Sequence, residues 1–351
     1  MDRRTAIARL ASLAALPVLS ARAQPDARVD NATDFRDLYD VMAQRYPCFA
    51  LKGIDWNAVG AALLPRATND LDDESFGLLC MELVARLEDS HAHLMKGTVD
   101  VPTPPIPRWG TGVFCLEDDE GRALVYHVAS DDAREIRVGD VVTQVDGRPA
   151  GAAIADLGAQ VSRYVGFSSP HLRRHDMFRA LATRERDVAV RLTVESPDGA
   201  ARTVAVPARY QGGSPRLPLR HPDISESRDL TSTRLDGDVG WIYVRRIREG
   251  LDAALDGAVG ALADAKGIII DVRGNSGGGF DSRTAHMNFM PLGLPADPNR
   301  PRYTGGMAVL IDARCISAGE GWASWFMANQ RARFFGATTA GASARKIDYT
   351  M

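Results

Sequence analysis

Two apolar, β-branched runs that each stop at small residues constrain this chain more than anything else in it. The first reads Gly267-Ile-Ile-Ile-Asp271-Val-Arg273-Gly-Asn275-Ser-Gly277-Gly-Gly-Phe280, and the second Met307-Ala-Val-Leu-Ile-Asp312-Ala-Arg-Cys315-Ile-Ser317-Ala-Gly-Glu320-Gly-Trp322. Each has the pattern of a strand buried on both faces that opens at its C-terminal end into a loop and a helix. Two such units side by side make a ligand crevice. Glycines at 277, 278 and 279 let the backbone turn its N–H groups outward without a Cβ in the way, which suits an oxyanion met by fixed donors. Ser317 opens the second helix. A serine there is ordinarily an N-cap, and Glu320 three residues on spells a capping box, so any further role for Ser317 has to come from its context.

That context is a pairing of motifs. Asp-Val-Arg-Gly-Asn-Ser-Gly-Gly followed by Ser-Ala-Gly-Glu resembles the D-x-R-x-N-x-G-G turn and the S-A-x-E sequence of the tail-specific (C-terminal processing) serine peptidases and their tricorn-like and retinoid-binding relatives. The resemblance implies that Ser317 is the nucleophile. It implies an oxyanion hole made by the amides of Gly277 or Gly278 together with Ala318. A serine hydroxyl needs a base within hydrogen-bond reach, and the third predicted helix, Asp73 to Leu87, runs into Glu-Asp89-Ser90-His91-Ala-His93-Leu94. A histidine pair at a helix end is usually structural or a surface feature. The Ser-His spelling resembles the tricorn-like branch, which implies His91 as general base, Ser90 as its neighbour in the relay, and His93 as the runner-up.

The chain departs from the family's pattern near its end. Thr338-Thr-Ala-Gly341-Ala342 aligns with the turn that carries the lysine of the Ser-Lys branch, but position 342 is alanine and the nearest lysine is Lys346. Tricorn-like members lack that lysine too, and orient the relay with a glutamate well beyond the nucleophile. No glutamate follows Glu320 here, which leaves Asp348 or an acid elsewhere for that task, and the domain is expected to be C-terminally truncated.

The remaining stretches fill in a multidomain α+β organisation. Residues 1–23 have a basic start, a short apolar middle and an Ala-x-Ala end, which is the form of a secretory signal peptide and predicts an exported, periplasmic or secreted protein. No other stretch is long and apolar enough to cross a bilayer. Residues 24–98 predict a helical N-terminal domain with helices ending at Pro47, running from Asp55-Trp56 to Leu64-Pro65, and starting at Asp73. After a stiff Pro102–Pro107 linker, residues 105–209 carry Val138-Gly139-Asp140-Val-Val and Val145-Asp146-Gly147, which resemble the heart of a PDZ domain. That likeness implies an extended peptide partner bound by strand addition. Ser162 to Arg186 reads as a polar, basic insertion in that domain. Residues 230–351 spell strand, helix, strand and resemble a crotonase-like (ClpP/crotonase) α/β layer.

A net charge of −3 gives no electrostatic case for nucleic acid or an anionic membrane. Cys48, Cys80, Cys115 and Cys315 show no C-x-x-C, which argues against zinc. An oxidising compartment permits a Cys48–Cys80 disulfide, although buried free thiols fit as well. His171 and His175 lie four apart with no adjacent third ligand, so neither a metal nor a cofactor is expected. The function implied is a serine endopeptidase acting on unfolded polypeptides or protein tails. The alternative is a catalytically inactive peptide- or lipid-binding relative. A coenzyme A-dependent crotonase enzyme would share the α/β layer but leaves the signal peptide and the PDZ-like stretch unexplained.

Overall fold

The computed structural model describes residues 30–95, 100–215, 221–278, 286–291, 293 and 297–343. The expected signal peptide, Gly279, Lys346 and Asp348 lie outside the described residues. Within them the chain is a mixed α/β fold in three packed units, each with its own cluster of buried residues.

The first unit is helical. Helix α1 (Asn31–Arg45) stops because Pro47 forces Tyr46 out of helical geometry, to ψ 117°. A short helix α2 (Phe49–Lys52) follows, then α3 (Trp56–Leu63) and α4 (Asp73–Ala85). Asp55 and Asp72 cap the last two by accepting from the N–H groups of Ala58 and Ser75. Their inward faces meet on Phe35, Leu79, Cys80 and Leu83.

The second unit begins with β1 (Trp109–Gly110), β2 (Val113–Glu117), β3 (Ala123–Val128), β4 (Val141–Val145) and β5 (Arg148–Pro149). Helices α5 (Ala150–Ser162) and α6 (Pro170–Ala180) follow, then β6 (Thr183–Arg184), β7 (Ala189–Glu195) and β8 (Ala201–Pro207). An antiparallel sheet runs in the order β2-β3-β4-β7-β8, with β5 paired to β4. The expected Asp-Gly hairpin is present: Asp146 (φ 53°) and Gly147 (φ 79°) form a two-residue turn between Val145 and Arg148. The expected polar insertion is more ordered than its composition suggests. Helix α5, which no sequence expectation placed, buries Ile154, Leu157, Gly158 and Val161 on one face. Helix α6 starts on the Ser169 cap with Pro170 at its first position.

The third unit contains β9 (Leu230–Leu235), β10 (Val239–Val244), α7 (Leu251–Ala261), β11 (Gly267–Asp271), β12 (Gly306–Ile311), α8 (Ala318–Ala328) and β13 (Arg333–Gly336). Its sheet order is β13-β12-β11-β10-β9. Strands β10 to β13 are parallel, and β9, absent from the sequence expectation, adds antiparallel to β10. The two runs that open the sequence argument are the adjacent strands β11 and β12, so their loops emerge side by side. All four cysteines are free thiols, Cys48 and Cys80 included, and burial pushes Cys80 and Cys115 up to about 12.

An ionic cluster fastens the first unit to the second. The buried Glu82 carboxylate of α4 takes a two-point contact from Arg66 (3.0 and 2.9 Å), one from Arg86 (3.3 Å) and one from Arg163 just past α5 (3.3 Å). Burial alone would raise the Glu82 carboxyl. The Arg66 hydrogen bonds and charge, followed by Arg163, outweigh it and hold the carboxyl below its ordinary value. A carboxyl depressed on folding stabilises above its unfolded value and loses that contribution as pH falls through the folded one. Glu82→Ala is therefore expected to cost about 1–3 kcal/mol near neutral pH, because it leaves three arginine contacts unmet at one point. The difference from wild type should shrink as pH drops below 4.5. Urea titrations of both proteins across that range check the size and the sign.

Candidate active site

The site is assembled from the C-terminal ends of β10, β11 and β12, where each residue of the D-x-R-x-N turn has a separate task. Asp271, fully buried, accepts from the Arg273 backbone N–H and Nε (both 3.0 Å) through Oδ1 and from Nη2 (2.7 Å) through Oδ2. Asp312 closes the neighbouring strand, its Oδ1 accepting from Gly274 N (2.8 Å) and Arg314 N (3.0 Å). Burial raises the Asp312 carboxyl; those N–H groups and the Arg314 charge oppose the rise. Asn275, also fully buried, donates to Val244 O (2.7 Å) and accepts from Gly277 N (2.8 Å), while Ile316 N donates to its carbonyl (3.0 Å). One asparagine thus joins the ends of three strands.

The glycines that follow are required by close approach. Gly277 sits at φ 70°, and a Cβ there would lie 2.7 Å from Ser317 Cβ and 2.9 Å from Ile316 O. At Gly278 a Cβ would lie 1.7 Å from Ile247 O. The glycine loop is therefore pressed against the serine. Gly277's own N–H is engaged by Asn275, which leaves Gly278 and Ala318 of the three expected oxyanion donors. Ala318 is the first residue of α8, where an N–H has no partner within the helix and lies at the positive end of its dipole.

Ser317 stands at φ 61° and ψ −128°, a conformation that costs a residue with a side chain on the order of 1–3 kcal/mol. Such a turn between strand and helix lifts the side chain out of the sheet, and Ser317 is half-buried. Its N–H is shared between Ala342 O (2.9 Å) and Glu320 Oε2 (3.1 Å). Glu320 also accepts from Ala342 N (2.8 Å) through Oε2 and from Gly341 N (2.7 Å) through Oε1. The sequence marked Glu320 as a capping residue. Its grip on the 341–342 loop was hidden because those partners come 21 and 22 residues later.

His91 comes from the far side of the chain. Just beyond α4, the turn Asp89-Ser90-His91 docks on the loop between α5 and α6. Ser90 N donates to Ser168 Oγ (2.9 Å), Ser168 N donates to Ser90 Oγ (3.1 Å), and Ser90 Oγ donates to Gly166 O (3.5 Å). The same loop touches the surroundings of Ser317: Ser169 Oγ donates to Ala340 O (2.8 Å), His171 Nε2 meets Thr339 O, and Leu172 is buried with Ala340 and Ala342. Residues 166–172 thus contact both the His91 turn and the 339–342 loop behind Ser317. His91 is half-buried there, whereas His93, the runner-up, is exposed. The Ser90 hydroxyl, expected in the relay, is spent on the 166–168 backbone. Cys315 packs fully buried, and burial lifts its thiol well above the ordinary value.

His171 and His175 do lie on one helix, α6. His171 bonds Ser169 Oγ (3.1 Å), and burial, with the charges of Arg179 and Arg314, pushes His175 down to about 3. Among the described residues no group of three or more His, Cys, Asp or Glu is placed to hold a metal ion.

No family model matches the chain. A protein of Streptomyces coelicolor, putative tricorn protease homolog 2, is 24% identical over 273 residues, which is 71% of this chain and 21% of that protein. The chain thus spans about a fifth of the length of this curated relative. Among solved structures, mature CPAF superposes with a TM-score of 0.65 at 15% identity, over 89% of this chain and 84% of that one. Mature CPAF complexed with lactacystin gives 0.64 at 14% identity, over 90% and 85%.

Glu320→Gln tests the clamp directly. An amide in place of the carboxylate turns an N–H donor toward one of three backbone donors, at a cost of about 1–3 kcal/mol. Thermal unfolding should shift down, and any Ser317-dependent labelling should fall with it.

Proposed function

We propose that this chain, similar in sequence to a putative tricorn protease homolog and in fold to mature CPAF, is a serine peptidase that cleaves unfolded polypeptides or protein tails through an acyl-enzyme at Ser317. The observation that carries this reading is the strained Ser317 turn, held by Glu320 and pressed against Gly277 beside the first N–H of α8. A plain N-cap needs neither a positive φ nor a glycine loop in contact with it.

In the mechanism, His91 takes the Ser317 proton as the hydroxyl attacks the scissile carbonyl, and the N–H groups of Gly278 and Ala318 receive the developing oxyanion. His91 then returns the proton to the leaving amine, and water repeats the sequence on the ester. The helical unit brings the base, and the β11–β12 end of the third unit, a crotonase-like layer, brings nucleophile and oxyanion donors. The middle unit serves as a PDZ-like module. Its edge strands β2 and β8 offer unpaired backbone to an extended chain. The N-terminal signal-type sequence makes the protein an exported one, working in the periplasm or outside the cell. No helix of the described residues is long and apolar enough to cross a membrane.

One observation favours a second reading, a catalytically silent peptide- or lipid-binding relative: Ser90 is committed to docking the 166–168 loop. Fluorophosphonate labelling separates the two. Wild type should be labelled at Ser317 and should degrade denatured polypeptide. Ser317→Ala should abolish labelling, and both it and His91→Ala should lower kcat by at least about 10³-fold. Equal activity in all three proteins, or peptide binding without labelling, removes the peptidase assignment.

A further inference from the structure

Helix α4 ends at Ala85, and the chain leaves it through Glu88 at φ 48°, a left-handed conformation uncommon for a residue with a side chain. This exit is held from outside. Lys52 Nζ donates to the carbonyls of Leu87 (3.4 Å) and Glu88, and the Tyr46 hydroxyl donates to Leu87 O (3.0 Å). The same hydroxyl reaches Asp89 Oδ2 (3.1 Å). The other oxygen, Oδ1, accepts from His91 N (2.9 Å) and from Ser168 Oγ (3.4 Å). Gly166 lies so close that a Cβ there would stand 2.8 Å from Asp89 N and 2.9 Å from Asp89 O.

An aspartate that merely caps its own turn bonds the N–H two residues on and leaves its second oxygen to water. Asp89 does the first but not the second. Its other partners come from residues 43 and 79 positions away, one in each of two units. Ser168 is followed directly by Ser169, which is tied to Ala340, and Ser317 N donates to Ala342 O two residues beyond. A continuous path of side chain and backbone therefore runs from Tyr46 through Asp89 and the 168–169 pair to the nucleophile's loop.

We propose that Asp89 is the positioning residue for His91: its carboxylate clamps the histidine turn to Ser168, and so sets where the imidazole lies relative to Ser317. The proposal rests on the peptidase reading above for the roles of His91 and Ser317. Displacing a catalytic group by about 1 Å costs on the order of 100-fold in rate, so a clamp of this kind acts on kcat with little effect on substrate binding.

The test compares the full chain with Asp89→Ala, Asp89→Asn, Ser168→Ala and the Asp89→Ala/Ser168→Ala pair. Two quantities are read: kcat and KM on denatured polypeptide, and the rate at which diethyl pyrocarbonate modifies His91, followed by mass spectrometry. Asp89→Ala and Ser168→Ala are each expected to lower kcat about 10–100-fold with KM within about two-fold. Asp89→Asn keeps one acceptor for His91 N and should recover part of the loss. The double variant should fall little below the worse single one, since both remove one clamp. His91 should be modified several-fold faster in the alanine variants. An unchanged kcat, or an unchanged His91 modification rate, overturns the proposal. A loss of thermal stability with kcat and KM intact assigns Asp89 a structural role and overturns it as well. Should Ser317→Ala prove as active as wild type, the peptidase reading fails by that result alone, while the His91 modification rates still report whether Asp89 holds the turn.

Discussion

One carboxylate, that of Glu320, sets the local geometry on which the site depends. It is 9% exposed and takes three backbone N–H groups, those of Ser317, Gly341 and Ala342. Hydrogen bonds to a charged acceptor contribute about 1.5–3 kcal/mol each, so together they outweigh the 1–3 kcal/mol or so of strain at Ser317. The consequence reaches beyond the serine. Once Gly341 and Ala342 are fixed, Ala340 and Ala342 present a small apolar face that Leu172 covers. The start of α8 and the seam with the middle unit are thereby held by the same group.

On the opposite side of the serine the constraint is steric. Asn275 fixes Gly277, and the loop it holds comes near enough to Ser317 that no side chain fits between them. Gly319 obeys the same condition from within α8, where a Cβ would meet Asn275 Oδ1 at 2.5 Å. Ser317 is thus bounded by an anion at its N–H and by backbone at its side, and its side chain takes part in the capping box with Glu320.

What could be read from the sequence is what local chemistry decides. Strands β11 and β12 announce themselves by β-branched runs, α3 and α4 by aspartate caps, and the Asp146-Gly147 hairpin by the only residue types that take its positive φ angles cheaply. Helix α5 could have been read in the same way: Ile154, Leu157, Gly158 and Val161 lie at helical spacing, but the alanine- and glycine-rich run around them gives weak contrast. The role of residues 166–172 could not have been read at all. Ser168 and Ser169 look like an ordinary helix start, and nothing local says that one hydroxyl meets Asp89 and the other Ala340, 171 residues away. Ser90 shows the reverse case, a residue legible from its motif whose hydroxyl the tertiary structure uses for something else.

The His91 turn and the Ser317 loop belong to different units, and residues 166–172 form the seam that contacts both. The three main clusters are built of large buried side chains, whereas the seam's own apolar core is little more than Leu172, Ala340 and Ala342. At about 25 cal/mol per Å² such a patch stabilises by only a few kcal/mol, less than any unit's core. The seam relies instead on directional contacts: the Glu82 cluster at one end, the Asp89–Ser168 pair in the middle, and Ser169 with Ala340 at the other. Hydrogen bonds lose their strength steeply with misalignment, whereas apolar contacts tolerate sliding. A joint made this way has one favoured arrangement with little energy holding it shut.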